Sequence, residues 1–190
     1  MIETLQAVRK DIDTRLSQAA KDRHSPMHTP AVATGDAELR VMVMRAWDAD
    51  TATLRLHTDT RAPKAGTIGD GARVGLLFYD AEARIQIRVR GRGRIETDGA
   101  TADAAWDKAS NYARRCYLAL GAPGSTLASP GSGLPPDMEG IKPTDEDLEP
   151  ARANFAVLLV EVEKFDWLYL AHDGHRRAIF HGDDARWVIP

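Results

Sequence analysis

Leu5, Val8, Ile12, Leu16 and Ala19 recur at spacings of three and four, which predicts an amphipathic helix over residues 3–20. Asp11, Asp13, Arg15 and Gln18 fall on its other faces. His24 to Pro30 reads as a loop, and from Ala31 the apolar period shortens to two. A short strand over Ala31–Thr34 is followed by a turn at Gly35-Asp36. A strand over Arg40–Trp47 puts Val41 and Val43 on one face and Arg40, Met42 and Met44 on the other. Thr53–Thr58 returns as its hairpin partner. Pro63–Gly71 predicts a short helix, Val74–Tyr79 a buried strand, and 84–96 a long alternating strand.

Trp106, Ala109, Ala113 and Tyr117 mark a second helix over Ala100–Leu120. Residues 121–136 are rich in Gly, Pro and Ser and form a loop; 137–150 are acidic and turn-like, an exposed stretch. Phe155–Leu170 is β-rich, Asp173-Gly174 suits a tight turn, His175–Phe180 returns as a strand, and Arg186–Ile189 ends the chain. Six or seven strands on short connections, with two helices, predict a mainly β (α+β) fold: an antiparallel barrel with peripheral helices. One domain over 1–190 is expected, with 1–29 as N-terminal helix and loop. The parallel crossovers of a dinucleotide fold are missing, as are GxGxxG and GxxxxGK[ST] motifs.

Composition narrows the function. A net charge of -3 gives no reason to expect nucleic-acid binding, although basic residues gather between Arg84 and Arg94. Cys116 is the only cysteine, which rules out an internal disulfide and a multi-cysteine zinc site and makes a cytoplasmic setting the default. No signal-peptide core or membrane-length apolar run is present. The six histidines lack metal-ligand spacing, so no metal is expected, and no GxSxG elbow supports a hydrolase.

Two segments carry candidate chemistry. Thr58, Arg61 and Lys64 lie where a strand ends and a helical turn begins, which suits phosphate oxygens as well as it suits a solvated charged turn. Gln86, Arg88 and Arg90 share one strand face. An amide there can donate to and accept from the edge of a heteroaromatic ring, or simply face water. Trp167 and Trp187 read as core or interface residues.

These residues also carry a likeness. The chain resembles the pyridoxamine 5′-phosphate oxidase-like FMN-binding split barrels, from about Pro30 onward. Arg40-Val41-Met42-Val43-Met44-Arg45 is similar to the family strand beside the flavin. His57-Thr58-Asp59-Thr60-Arg61-Ala62-Pro63-Lys64 resembles the flavin-phosphate segment, with Ala62 replacing a serine. Ile85-Gln86-Ile87-Arg88-Val89-Arg90-Gly91 resembles the strand whose glutamine meets the flavin. Trp167 and Asp173-Gly174-His175-Arg176-Arg177 resemble the C-terminal motif, except that Asp173 replaces an arginine that contacts the substrate phosphate.

The resemblance implies an antiparallel split β-barrel that binds FMN in clefts of a homodimer and acts as an oxidoreductase on a small molecule. It implies flavin contacts at Arg40, Val41, Met42, Val43, Thr58, Asp59, Arg61, Ala62, Lys64, Gln86, Trp167 and Arg177. Arg45, Arg114, Arg115 and His175 are implied on the substrate side, while Asp173 argues against a faithful pyridoxamine phosphate oxidase. A flavin or deazaflavin reductase, a haem-binding relative and a non-catalytic flavin-binding protein stay open as alternatives.

Overall fold

The computed structural model describes residues 2–190, apart from the side chain of Asp36. The chain begins with helix α1 (Leu5–Lys21), where Thr4 Oγ1 accepts from Ala7 N–H, a cap worth about 1 kcal/mol. Its buried stripe is Val8, Ile12, Leu16 and Ala19. Strands β1 (Ala31–Ala33), β2 (Leu39–Val41), β3 (Met44–Asp48) and β4 (Thr53–Asp59) follow. After α2 (Pro63–Ile68) come β5 (Ala72–Asp80), β6 (Ile85–Glu96), α3 (Gly99–Lys108) and α4 (Asn111–Arg115). The chain ends with β7 (Phe155–Tyr169), β8 (Arg176–His181) and β9 (Asp184–Val188).

All strand pairs are antiparallel. The sheet runs β2-β1-β5-β6-β7-β4-β3, and the β8–β9 hairpin joins at β7. It curls round a core formed with α1, which is the antiparallel half-barrel with helices that the sequence predicts. Strand β7 holds the design together. Its first half pairs with β4, its second half with β8, and β6 runs along both. A bulge at Arg90/Gly91 lets β6 follow it. A Cβ on Gly91 would stand 2.1 Å from the Glu161 carbonyl oxygen, so only glycine fits there.

The first half of β7 is buried on both faces. Leu158 and Val160 face the barrel core; Phe155, Val157 and Leu159 face a second core with Ala102, Ala105, Trp106, Leu148 and Ala151. That second core corrects the expectation for 137–150. Glu146–Asn154 is 3-10 helical, and Leu148 and Ala151 are buried among aromatic rings. The charges around Leu148 hid it from a composition-based reading.

Two other elements are split. The strand expected over Arg40–Trp47 changes partner midway: β2 pairs with β1, β3 pairs with β4, and Met42 and Met44 N–H donate to the Pro30 and His28 carbonyls between them. The helix expected over Ala100–Leu120 breaks after Lys108, and Ser110 caps α4 by accepting from Ala113 N–H. Nine strands stand among the described residues instead of six or seven, because partner switching and the final hairpin each add one that alternation alone does not separate.

Candidate functional site

The end of β4 builds the first cluster. Alternation along β4 sends Leu54, Leu56 and Thr58 toward the barrel core and Arg55, His57 and Asp59 to the opposite face of the sheet. Asp59 is 8% exposed, and its carboxylate accepts from Arg61 at three points: backbone N at 2.8 Å, Nε at 3.0 Å and Nη2 at 2.7 Å. Arg61 Nη1 donates to the Ala119 carbonyl at 2.8 Å, which ties the cluster to the segment after α4. The hydrogen bond that Arg61 donates to Asp59 holds its guanidinium above its ordinary pKa.

Lys64 stands in contrast. It is half-buried on α2 and makes no hydrogen bond or ion pair among the described residues. Burial, then the field of Arg40, pushes its ammonium below the ordinary lysine pKa, and Asp59 only partly opposes them. Arg40 is held by Thr34 Oγ1 at 2.7 Å and lies 3.6 Å from the exposed Glu38. Two cations thus face one another with their nearest buried carboxylate already engaged by Arg61. Such a place favours an added anion.

The other expected members of this cluster play different parts. Thr58 is 4% exposed and its hydroxyl reaches only the Asp59 carbonyl, so it points into the core. Ala62 is buried ahead of Pro63 and supplies no side-chain cap. Met42 is buried, Val43 half-buried and Val41 exposed. Arg45 is exposed, and its charge reaches both His57 and Tyr117. His57 packs edge-on against Phe155, with ring centroids 4.9 Å apart, and its buried Nε2 has no partner. Burial, then Arg45 and Arg55, lowers the His57 pKa to about 3. Burial raises the Tyr117 phenol well above its usual value.

The second cluster lies across β6, β7 and β8. Gln86 pairs with Leu168, and Leu168 with Arg177, so these three share a sheet face. Arg88 and Asp166 follow on that face. Asp166 accepts from Arg177 Nε at 2.9 Å and Nη2 at 2.8 Å, and also from Arg88 Nη2. Burial would raise the Asp166 pKa, but the two guanidiniums outweigh it and hold the carboxyl below the usual range. The half-buried Gln86 amide makes no hydrogen bond among the described residues. Beside this row, Leu39, Val41, Leu77 and Tyr79 are exposed apolar side chains.

Trp167 is set apart from this row. It pairs with Ile87 and Ala178, which places it on the opposite face from Gln86 and Arg177. It is 1% exposed, and its Nε1 donates to Asp11 on α1 at 3.0 Å. Arg114 and Arg115 are also committed elsewhere. Arg114 donates to the Trp106 and Asp107 carbonyls at the end of α3 and stacks on Trp106; Arg115 holds the Met138 and Ile141 carbonyls. His175 is exposed in the turn before β8. Asp166 escaped sequence reasoning, although an acid between Phe165 and Trp167 in a buried strand requires a cationic partner.

Comparison with known proteins places the fold. Residues 7–97 match the family model described as pyridoxamine 5′-phosphate oxidase, FMN-binding domain. A pyridoxamine 5′-phosphate oxidase-related, FMN-binding protein from Nostoc punctiforme PCC 73102 superposes with a TM-score of 0.68 at 23% identity, over 96% of each chain. PhzG from Burkholderia lata 383, solved in complex with tetrahydrophenazine-1-carboxylic acid, gives 0.64 at 17% identity, over 98% of this chain and 92% of that one. A general stress family protein from Xanthomonas campestris gives 0.55 at 13% identity, over 90% and 92%. At these identities the likenesses carry the fold. No curated protein matches the chain in sequence.

Proposed function

We propose that this chain, a divergent relative of the pyridoxamine 5′-phosphate oxidase-like FMN-binding split barrels, binds FMN and serves as an oxidoreductase for a small molecule. The observation that carries the reading is Lys64: a half-buried ammonium beside Arg40, without a hydrogen bond among the described residues, while Asp59 is neutralised by Arg61. These residues fit a phosphate group. Lys64 and Arg40 would hold it, and the free Gln86 amide suits the edge of a flavin ring. FMN, when bound, supplies two-electron redox chemistry; the protein's part is to orient and enclose it.

The Arg40–Lys64 and Gln86–Arg177 groups share no hydrogen bond or ion pair among the described residues. A homodimer joins them: the exposed apolar side chains beside Gln86 give a second copy a surface to bury, and each copy completes the other's site. The protein works in the cytoplasm. The substrate lacks a phosphate, because Asp173 stands in the exposed turn and Arg114 and Arg115 are bound to backbone carbonyls. Arg45 and His175, both exposed, remain to meet it.

The test is the visible absorption spectrum of the purified protein, with identification of what heat releases. Yellow protein that releases FMN supports the reading. Colourless protein that cannot be loaded with FMN defeats it. Sedimentation in the presence of FMN tests the dimer, and a monomer with bound flavin removes the shared site.

A further inference from the structure

The face of the sheet that carries the second core continues into a groove of about 630 Å³ beside α3, within the range of sites that take metabolite-sized ligands. Its centre is fixed by strand register. Leu159 on β7 pairs with Arg55 on one side and Arg94 on the other, so two guanidinium groups flank one apolar residue. Ala46 and Thr101 line the groove as well, and Arg92 is at its edge, where it donates to the Gly71 carbonyl. No residue of the Arg40–Lys64 cluster or the Gln86–Arg177 row belongs to it.

The two central arginines have unused donors. The Nε atoms of Arg55 and Arg94 are buried without a hydrogen-bond partner. Arg55 makes no ion pair or hydrogen bond among the described residues, and its uncompensated charge contributes to the depressed His57 pKa. Arg94 is only partly compensated, by Glu96 at 3.1 Å and by Glu161 at 3.9 Å. The acids of the groove do not fill the gap. Glu161 and Glu163 sit at its exposed rim, and Asp48 turns its carboxylate onto the Asp50 and Thr51 amides. A buried guanidinium N–H without an acceptor is costly, and a planar oxyanion is the acceptor that matches its fork.

We infer that this groove is a second ligand site, separate from the flavin cradle, which binds a carboxylate- or phosphate-bearing metabolite between Arg55 and Arg94 over Leu159. The apolar floor selects an organic ligand, and the arginine pair selects its oxyanion. The site is independent of whether FMN binds at Lys64.

Calorimetric titration of the full chain with inorganic phosphate and, separately, with tricarballylate tests this. At least one probe binds saturably, and the stronger one names the headgroup. In a K64Q background, which removes anion binding at the flavin cradle, R55Q and R94Q each weaken that binding tenfold or more. T101E, which adds a carboxylate at the mouth and removes no guanidinium, also weakens it tenfold, and it serves if an arginine variant fails to fold by circular dichroism. No saturable binding of either probe overturns the inference. So does binding that K64Q abolishes and R55Q, R94Q and T101E leave intact.

Discussion

Arg61 folds back onto Asp59, two residues away, and spends its guanidinium there: Nη2 and Nε reach the two carboxylate oxygens at 2.7 and 3.0 Å. A segment that reads as two cations and a hydroxyl thereby becomes one neutral pair, one buried hydroxyl and a single uncommitted ammonium, Lys64. The pair steadies the place where an anion would bind, and Lys64 supplies the charge.

Lys64→Ala and Arg61→Ala therefore fail differently. Losing Lys64 removes a charge-assisted contact worth about 1.5–3 kcal/mol, so FMN affinity falls roughly ten- to a hundredfold with little change in Tm. Losing Arg61 strands Asp59 and frees Ala119, lowering stability by roughly 1–3 kcal/mol. Flavin-fluorescence titration and thermal melting of both variants separate the two roles.

Trp167→Phe keeps the ring in the core but leaves Asp11 without the indole N–H. A loss of about 1–3 kcal/mol in urea unfolding is expected, with flavin affinity unchanged, since the residue faces away from Gln86 and Arg177. An altered flavin spectrum with unaltered stability would return Trp167 to the cofactor.

His57 makes stability depend on pH in a defined direction. Its folded pKa is lowered to about 3 from 6.5, so below 6.5 the unfolded chain takes up a proton that the folded chain refuses. Stability falls as pH drops from 6.5 toward 3, by up to about 1.4 kcal/mol per unit from this group, and the effect vanishes above 6.5. Urea melts of the native protein and His57→Gln between about pH 4.5 and 7.5 should show a shallower slope in the variant.

Gly91→Ala forces a methyl group to within 2.1 Å of the Glu161 oxygen at the bulge, where backbone has to move. A cost of roughly 2–4 kcal/mol is expected, measured as a fall in the urea midpoint.

Much of this was legible in sequence because alternation is a local property. The period-two pattern of 84–96 set Ile85, Ile87 and Val89 inward and Gln86, Arg88 and Arg90 outward, and burial follows it. The helix at the N-terminus was equally clear, but the work of its polar face was not. Asp11 and Asp13 hold the indoles of Trp167 and Trp47, partners set by the fold rather than by spacing. The break in Arg40–Trp47 was hidden for a related reason: Met42 and Met44 keep their inward alternation while the chain changes neighbour. At the candidate site, Lys64 and Gln86 could be found from residue type and position. That Arg61, Arg114 and Arg115 satisfy nearby carboxylates and carbonyls could not, because a cation's sequence does not say which acceptor reaches it first.

The contact from Trp167 to Asp11 spans 156 residues. Helix α1 leaves the ribosome long before β7, the strand that carries its anchor. During synthesis the apolar stripe of α1 has no finished surface to settle on until β7 is translated, so the nascent chain carries it incompletely covered over the whole interval between the two elements. A chain arrested before Trp167 is therefore the form of this protein most in need of a chaperone, and slower decoding between α1 and β7 lengthens that exposure.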